Sequence, residues 1–300
     1  MSKSSRSARG TRHSLFDDGP LEPLSAKLLQ AAGVLSVLLI LVVLNSFLNG
    51  SGGESPLNPN PVAAAAQRTE EIPGMRMNMT MTFRTESSPP TSITAKGTYN
   101  GEDNLCQVTY NAAVDGQQMK FDAILGEDGW YFRFPQYASQ MPEGKEWLKL
   151  QGFPGQKDMS KPSVGGPADS LQMLRTTGTV QRLGTEKIGQ VKTTRYRTTM
   201  TPAGLVEGLR QQGKDELAEQ MEQLQARMVG PLHSEVFITP GGMLRRMRTQ
   251  ATEVIDGKTI TTEVLFDFFD YGIKPNIVVP DDSQVYDLSP ELEERLGQLS

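Results

Sequence analysis

The chain has 300 residues, a formal charge of -5, one cysteine and two histidines. An acidic domain lacks the basic footprint with which nucleic-acid binders displace phosphate counterions, so a nucleic-acid partner is excluded. His13 and His233 supply no multi-histidine metal site or histidine-based triad, and Cys106 alone forms no intramolecular disulfide, so no metal or other cofactor is expected.

Residues 1–27 read as a basic tail, followed by the uncharged run Leu28–Leu48. At about 1.5 Å rise per residue this run covers the roughly 30 Å hydrocarbon layer as a helix, so residues 28–49 are expected to be a transmembrane anchor. Lys3, Arg6, Arg9, Arg12 and Lys27 precede it, and no Lys or Arg follows until Arg68. The positive-inside rule then puts the N-terminus in the cytoplasm and the rest of the chain outside, in the cell envelope. A cleaved secretory signal is the competing reading, but its apolar region is usually about 7–15 residues long, and Asn45-Ser46-Phe47-Leu48 is a poor cleavage region. A lipidation signal would need a cysteine just after the run.

Residues 50–61, GSGGESPLNPNP, read as a tether that buries no apolar surface. This leaves 62–300 as one extracytoplasmic domain. Ala63–Ile72 has good helix formers and is stopped by Pro73. The period then changes to two: Met75, Met77, Met79, Met81 and Phe83 alternate with Arg76, Asn78, Thr80, Thr82 and Arg84, which predicts a half-buried strand. Alternation recurs in ITAKGTY with Tyr99, in CQVTY from Cys106, in MKFDAIL with Phe121 and Leu125, and in WYFRF with Trp130 and Phe132. Turn residues separate these runs, among them Asn100-Gly101 and Asp128-Gly129.

A Gly- and Pro-rich loop at 154–167 leads to a short helical piece, ADSLQMLRTT, and then to GTVQRLGTEKI and VKTTRYRTTM joined at Gly189-Gln190. Between Pro202 and Pro231, Leu205, Leu209, Leu217, Met221, Leu224 and Met228 form the apolar stripe of a long amphipathic helix that Gly213 bends or breaks. The last strands are SEVFIT, MLRRMRTQ and TITTEVLFDF, the last with Phe266 on its apolar face. Many short strands with tight turns favour an antiparallel meander over a βαβ layout, with the helix on its apolar face.

Methionines adapt to irregular apolar shapes, so the Met75–Met81 stripe either lines a hydrophobic site or fills a core, and the same alternatives hold for Tyr99, Phe121, Trp130, Phe132 and Phe266. Arg245, Arg246 and Arg248 either touch anionic groups or form the wet face of an edge strand. Asp128, Asp281 and Asp282 sit where turns favour acidic residues. No nucleophile elbow, phosphate loop, paired-cysteine site or dinucleotide fingerprint is present, and no enzyme is expected.

GTEKIGQVKTTRYRTTM at Gly184–Met200, HSEVFITPGGMLRRMR at His233–Arg248 and VLFDFFDYGIKPNIVVPDDSQVYDL at Val264–Leu288 resemble the LppX/LprG group of actinobacterial lipoproteins in the LolA-like superfamily. The likeness runs over Gly74–Leu288. It implies an α+β fold: a curved, incomplete antiparallel β-barrel whose helices close an apolar cavity that holds the acyl chains of a membrane lipid or lipoglycan. On that likeness the cavity lining comprises Met75, Met77, Met79, Met81, Phe83, Tyr99, Phe121, Leu125, Trp130, Phe132, Leu205, Leu209 and Phe266. The chain departs from the group in carrying an apolar anchor in place of a lipidated cysteine. The alternative is a signalling or structural module that uses the same fold to bind an envelope protein.

Overall fold

The computed structural model describes residues 61–86, 89–114, 117–126, 128–150, 178–211, 215–255 and 257–289. The apolar run Leu28–Leu48, the tether and the ADSLQMLRTT segment lie outside them. Among the described residues no helix is long and apolar enough to cross a membrane.

Helix α1 spans Pro61–Glu70, with Val62, Ala65 and Thr69 buried at i, i+3 and i+7 on one face. The strands β1 Gly74–Thr85, β2 Thr91–Asn100, β3 Leu105–Val114, β4 Gln117–Gly126, β5 Gly129–Arg133 and β6 Trp147–Leu150 follow as an antiparallel meander. A second meander holds β7 Gly178–Ile188 and β8 Val191–Met200, then helices α2 Pro202–Gln211 and α3 Asp215–Gln225, then β9 Leu232–Ile238, β10 Leu244–Ile255 and β11 Lys258–Phe269. Gly189 (φ 61°) and Gly257 (φ 73°) turn two of its hairpins in the left-handed region, where a side chain is strained.

The two meanders become one sheet because β1 pairs with β11 from Arg76↔Phe269 to Thr85↔Ile260. The strand order is β12-β6-β5-β4-β3-β2-β1-β11-β10-β9-β8-β7, so β7 and the short β12 (Val285–Asp287) are its edges. The sheet curves, and among the described residues its edge strands do not pair to close it. Its central strand pair is the most apolar: along β1, Met75, Met77, Met79, Met81 and Phe83 are all buried, and along β11 so are Ile260, Val264, Phe266 and Phe268. Alternation on paired strands puts these two sets on the same face, which we call inner.

Two apolar clusters occupy that face. The main one joins the methionines of β1 to Tyr99, Cys106, Val108, Leu125, Val236, Phe266 and Phe268, with Val62 and Ala65 of α1 packed into it. The other joins Leu205, Val206 and Leu209 of α2 and Ala218 and Met221 of α3 to Leu232 and Ala251 of the sheet. The long helix expected between Pro202 and Pro231, bent or broken at Gly213, is a helix pair, tied by an Arg210–Glu222 ion pair of 2.8 Å. Leu217 and Leu224 lie outside the described side chains.

After β11 the chain leaves the end of the sheet and crosses its outer face. Gly272 N–H donates to the Gly74 carbonyl, the Asn100 amide donates to the Pro275 carbonyl, and Ile277 then packs on Ile124, Tyr131 and Trp147. The strap ends as β12, parallel to β6 from Val285↔Trp147 to Asp287↔Lys149. A third apolar cluster therefore sits on the outer face of β4–β6, which is why Ile124 and Tyr131 are buried although they alternate with inner-face residues.

The arginines of MLRRMRTQ lie on β10, which is flanked on both sides by β9 and β11; it is an interior strand, not an edge. Arg246 makes a forked pair with Asp267 at 2.7 and 2.8 Å, Arg248 stands 4.0 Å from Glu263, and the Arg245 guanidinium donates to the Phe268 carbonyl at 2.5 Å. Beside them, Arg195 and Arg197 converge on Glu235 at 2.6 and 3.0 Å. The outer face here is laced by paired charges, so the local run of arginines is not an unbalanced basic patch.

Candidate functional site

On the inner face, small side chains on β2 make room. Gly97 lies between Met77 and Val108, and Ala95 between Met79 and Tyr110, on the neighbouring strands. With Phe266 opposite Met79 on β11, these residues line a narrow hollow, part of it open at the surface. Its exposed lining is apolar throughout, and its clear interior room is about that of one water molecule. A water there would find none of the polar partners it needs.

Burial keeps the nearby titratable groups neutral. The Cys106 thiol, fully buried in the main cluster, is pushed up to about 12 by desolvation. Desolvation also raises the Tyr110 phenol well above its ordinary value. A neutral thiol and phenol add no charge to the hollow and offer no nucleophile at neutral pH. Among the described residues no group of three or more His, Cys, Asp or Glu side chains is placed to hold a metal ion.

Beyond Tyr110 the inner face of the β3–β5 wing carries linked aromatic rings. Tyr110 stacks on Phe121 with centroids 4.6 Å apart at 9°, Phe121 on Phe134 at 5.2 Å, and Phe134 approaches Phe132 at 6.4 Å. Trp130 meets Phe132 edge-on at 6.4 Å. Phe121, Trp130, Phe132 and Phe134 are all only half-buried, so this wall continues the hollow as a partly open apolar surface.

The sequence-predicted lining residues therefore fall into four places. Met77, Met79 and Phe266 line the hollow. Met75, Met81, Phe83, Tyr99 and Leu125 are buried in the main cluster around it. Phe121, Trp130 and Phe132 belong to the aromatic wall. Leu205 and Leu209 pack in the separate cluster under the helix pair. Sequence reasoning read Ala95, Gly97, Val108 and Tyr110 only as alternating strand residues and left them out of the lining; they are unremarkable until the register sets two small residues of β2 beside two methionines of β1. Phe134, read as an alternating residue of WYFRF, was likewise left out, although its ring joins Phe121 to Phe132.

No protein-family model and no curated protein matches this chain. Among solved structures it is similar to the lipoprotein LppX of Mycobacterium tuberculosis, at 13% identity and a TM-score of 0.44, over 74% of this chain and 100% of that one. It is also similar to LprF of Mycobacterium bovis, at 15% identity and a TM-score of 0.38, over 77% and 99%. A LolA superfamily protein of Nitrosomonas europaea matches at 9% identity and a TM-score of 0.27, over 74% and 94%.

Proposed function

We propose that this chain is a membrane-tethered extracytoplasmic carrier that holds an acyl chain of a membrane lipid or lipoglycan on the inner face of its sheet. The observation that carries this reading is the wholly apolar hollow between Met77, Met79, Ala95, Gly97, Val108, Tyr110 and Phe266, continued by a half-buried aromatic wall. Hydrocarbon gains about 25 cal/mol for each Å² it removes from water, and such a surface supplies that gain without a polar cost. The present room is narrow, and the methionines are what lets it widen. Their unbranched thioether chains change rotamer at little cost, so a guest displaces Met77 and Met79 rather than the backbone. Leu28–Leu48 is the membrane anchor in this proposal, with the domain outside the cell membrane.

The test is native mass spectrometry and lipid extraction on the purified full chain, with protease added to intact cells to check the side of the membrane. Bound lipid and cleavage of the outer domain are expected. A lipid-free protein, or a protected domain, overturns the reading. The second reading, a module that binds an envelope protein, is favoured by the close packing of the inner face.

A further inference from the structure

The inner face is not apolar throughout. Between the main cluster and the helix-pair cluster runs a row of hydroxyls set by the register: Thr198 on β8 opposite Ser234 on β9, and Ser234 opposite Thr249 on β10. They are 1%, 8% and 5% exposed, so all three are withdrawn from water. Thr198 donates to the Ser234 carbonyl at 3.4 Å, and the Ser234 and Thr249 hydroxyls are 2.9 Å apart, one donating to the other. Two hydroxyls bring two O–H protons to that single bond, so one buried proton of the pair is left without an acceptor, along with open lone pairs.

Thr249 stands opposite Val264, two residues before Phe266 on the same face of β11. One such step is about 7 Å along a strand, so Thr249 lies one strand across and one step along from Phe266 of the hollow, and Ser234 one strand further; either of the two can hold the spare proton. A hydrocarbon chain in the hollow whose end carries a carbonyl oxygen at that distance would satisfy the donor. We infer that Ser234 and Thr249 form the polar subsite of the carrier and select lipids whose acyl chain ends in an ester carbonyl. The inference rests on the acyl-carrier reading and specifies the ligand class of that site. The pair donates to the carbonyl oxygen, the alkyl chain runs toward Met79 and Phe266, and the Thr198 bond to the Ser234 carbonyl holds β8 and β9 in place around it.

The experiment uses the purified full chain and two chain-matched probes, methyl palmitate and hexadecyl methyl ether, each displacing a pyrene-labelled alkane. The ether lacks only the carbonyl oxygen. The wild type should bind the ester roughly tenfold more tightly, the increment of one buried hydrogen bond to an otherwise unmatched donor. Ser234→Ala combined with Thr249→Val should bring that ratio to about one and leave ether affinity within about twofold, whereas Thr249→Ser should keep the ratio. A purely structural role for the pair would lower thermal stability without moving the ratio. If the double variant does not fold, Ser234→Cys with Thr249→Val, which offers a weaker donor, should cut the ratio at least roughly threefold. Equal affinities in the wild type, or an unchanged ratio in a folded double variant, overturn the inference while the carrier reading stands. Failure of both probes on the wild type overturns both.

Discussion

Filling the hollow separates a binding surface from ordinary core, and Ala95→Leu is the substitution that does so. Ala95 is 3% exposed and faces the hollow between Met79 and Tyr110. Leucine adds three carbons; at about 0.8 kcal/mol for each buried CH₂ they contribute about 2.4 kcal/mol if the space accepts them. Crowding against Met77 and Met79 costs about 1–3 kcal/mol where a core is already full. The two nearly cancel, so the expected change in folding free energy is within about 1 kcal/mol, while bound lipid falls several-fold. Urea unfolding and native mass spectrometry on the same preparations read both quantities. Gly97→Leu is the contrast: even its Cβ would stand 3.0 Å from the Gln107 carbonyl oxygen and 3.1 Å from Val108, so that variant should be destabilised as well as empty. If Ala95→Leu loses more than about 3 kcal/mol, the hollow is closed core and the reasoning fails. If it keeps wild-type lipid, the site is elsewhere.

Other consequences are independent of any ligand. A Cβ on Gly74 would lie 2.5 Å from the Tyr99 carbonyl oxygen and 2.7 Å from that of Ile273, both backbone; Gly74→Ala should cost about 2 kcal/mol or more in urea unfolding, and a neutral result would refute the close approach of strap and sheet. Cys106, with its thiol held near 12, should react with a thiol reagent at pH 8 only as fast as the protein unfolds, and rapid labelling of the folded chain would contradict its burial. Burial acts to raise the carboxyls of Asp122 and Glu235, but hydrogen bonds from Thr109 and Arg133, and from Arg195 and Arg197, outweigh it and hold both below their ordinary values. Their stabilisation is present above the unfolded carboxylate range and is lost as pH falls through the folded values. Stability should therefore drop below about pH 4, and Asp122→Asn or Glu235→Gln should flatten that acid limb.

Local chemistry alone wrote most of the elements. The alternation from Met75 to Phe83 specified both β1 and its buried face, because side chains on a strand change sides at every residue. Gly189-Gln190 located the β7–β8 hairpin, and the stripe from Leu205 located a helical insertion on the apolar side. Three features had no local signal. The pairing of β1 with β11 joins residues 175 to 193 positions apart, and alternation says which face a strand buries but not which strand lies beside it. Burial of Ile124 and Tyr131 depends on a strap that returns from the far end of the chain to bring Ile277 onto the outer face. The Ser234–Thr249 hydroxyl pair, and the room that Ala95 and Gly97 leave beside Met77 and Met79, exist only in the register of neighbouring strands. The sequence by itself determined which residues of each strand share a face, since hydrophobicity and period are properties of a segment. The tertiary structure decided which of them meet, because strand neighbours are chosen by pairing across the whole chain.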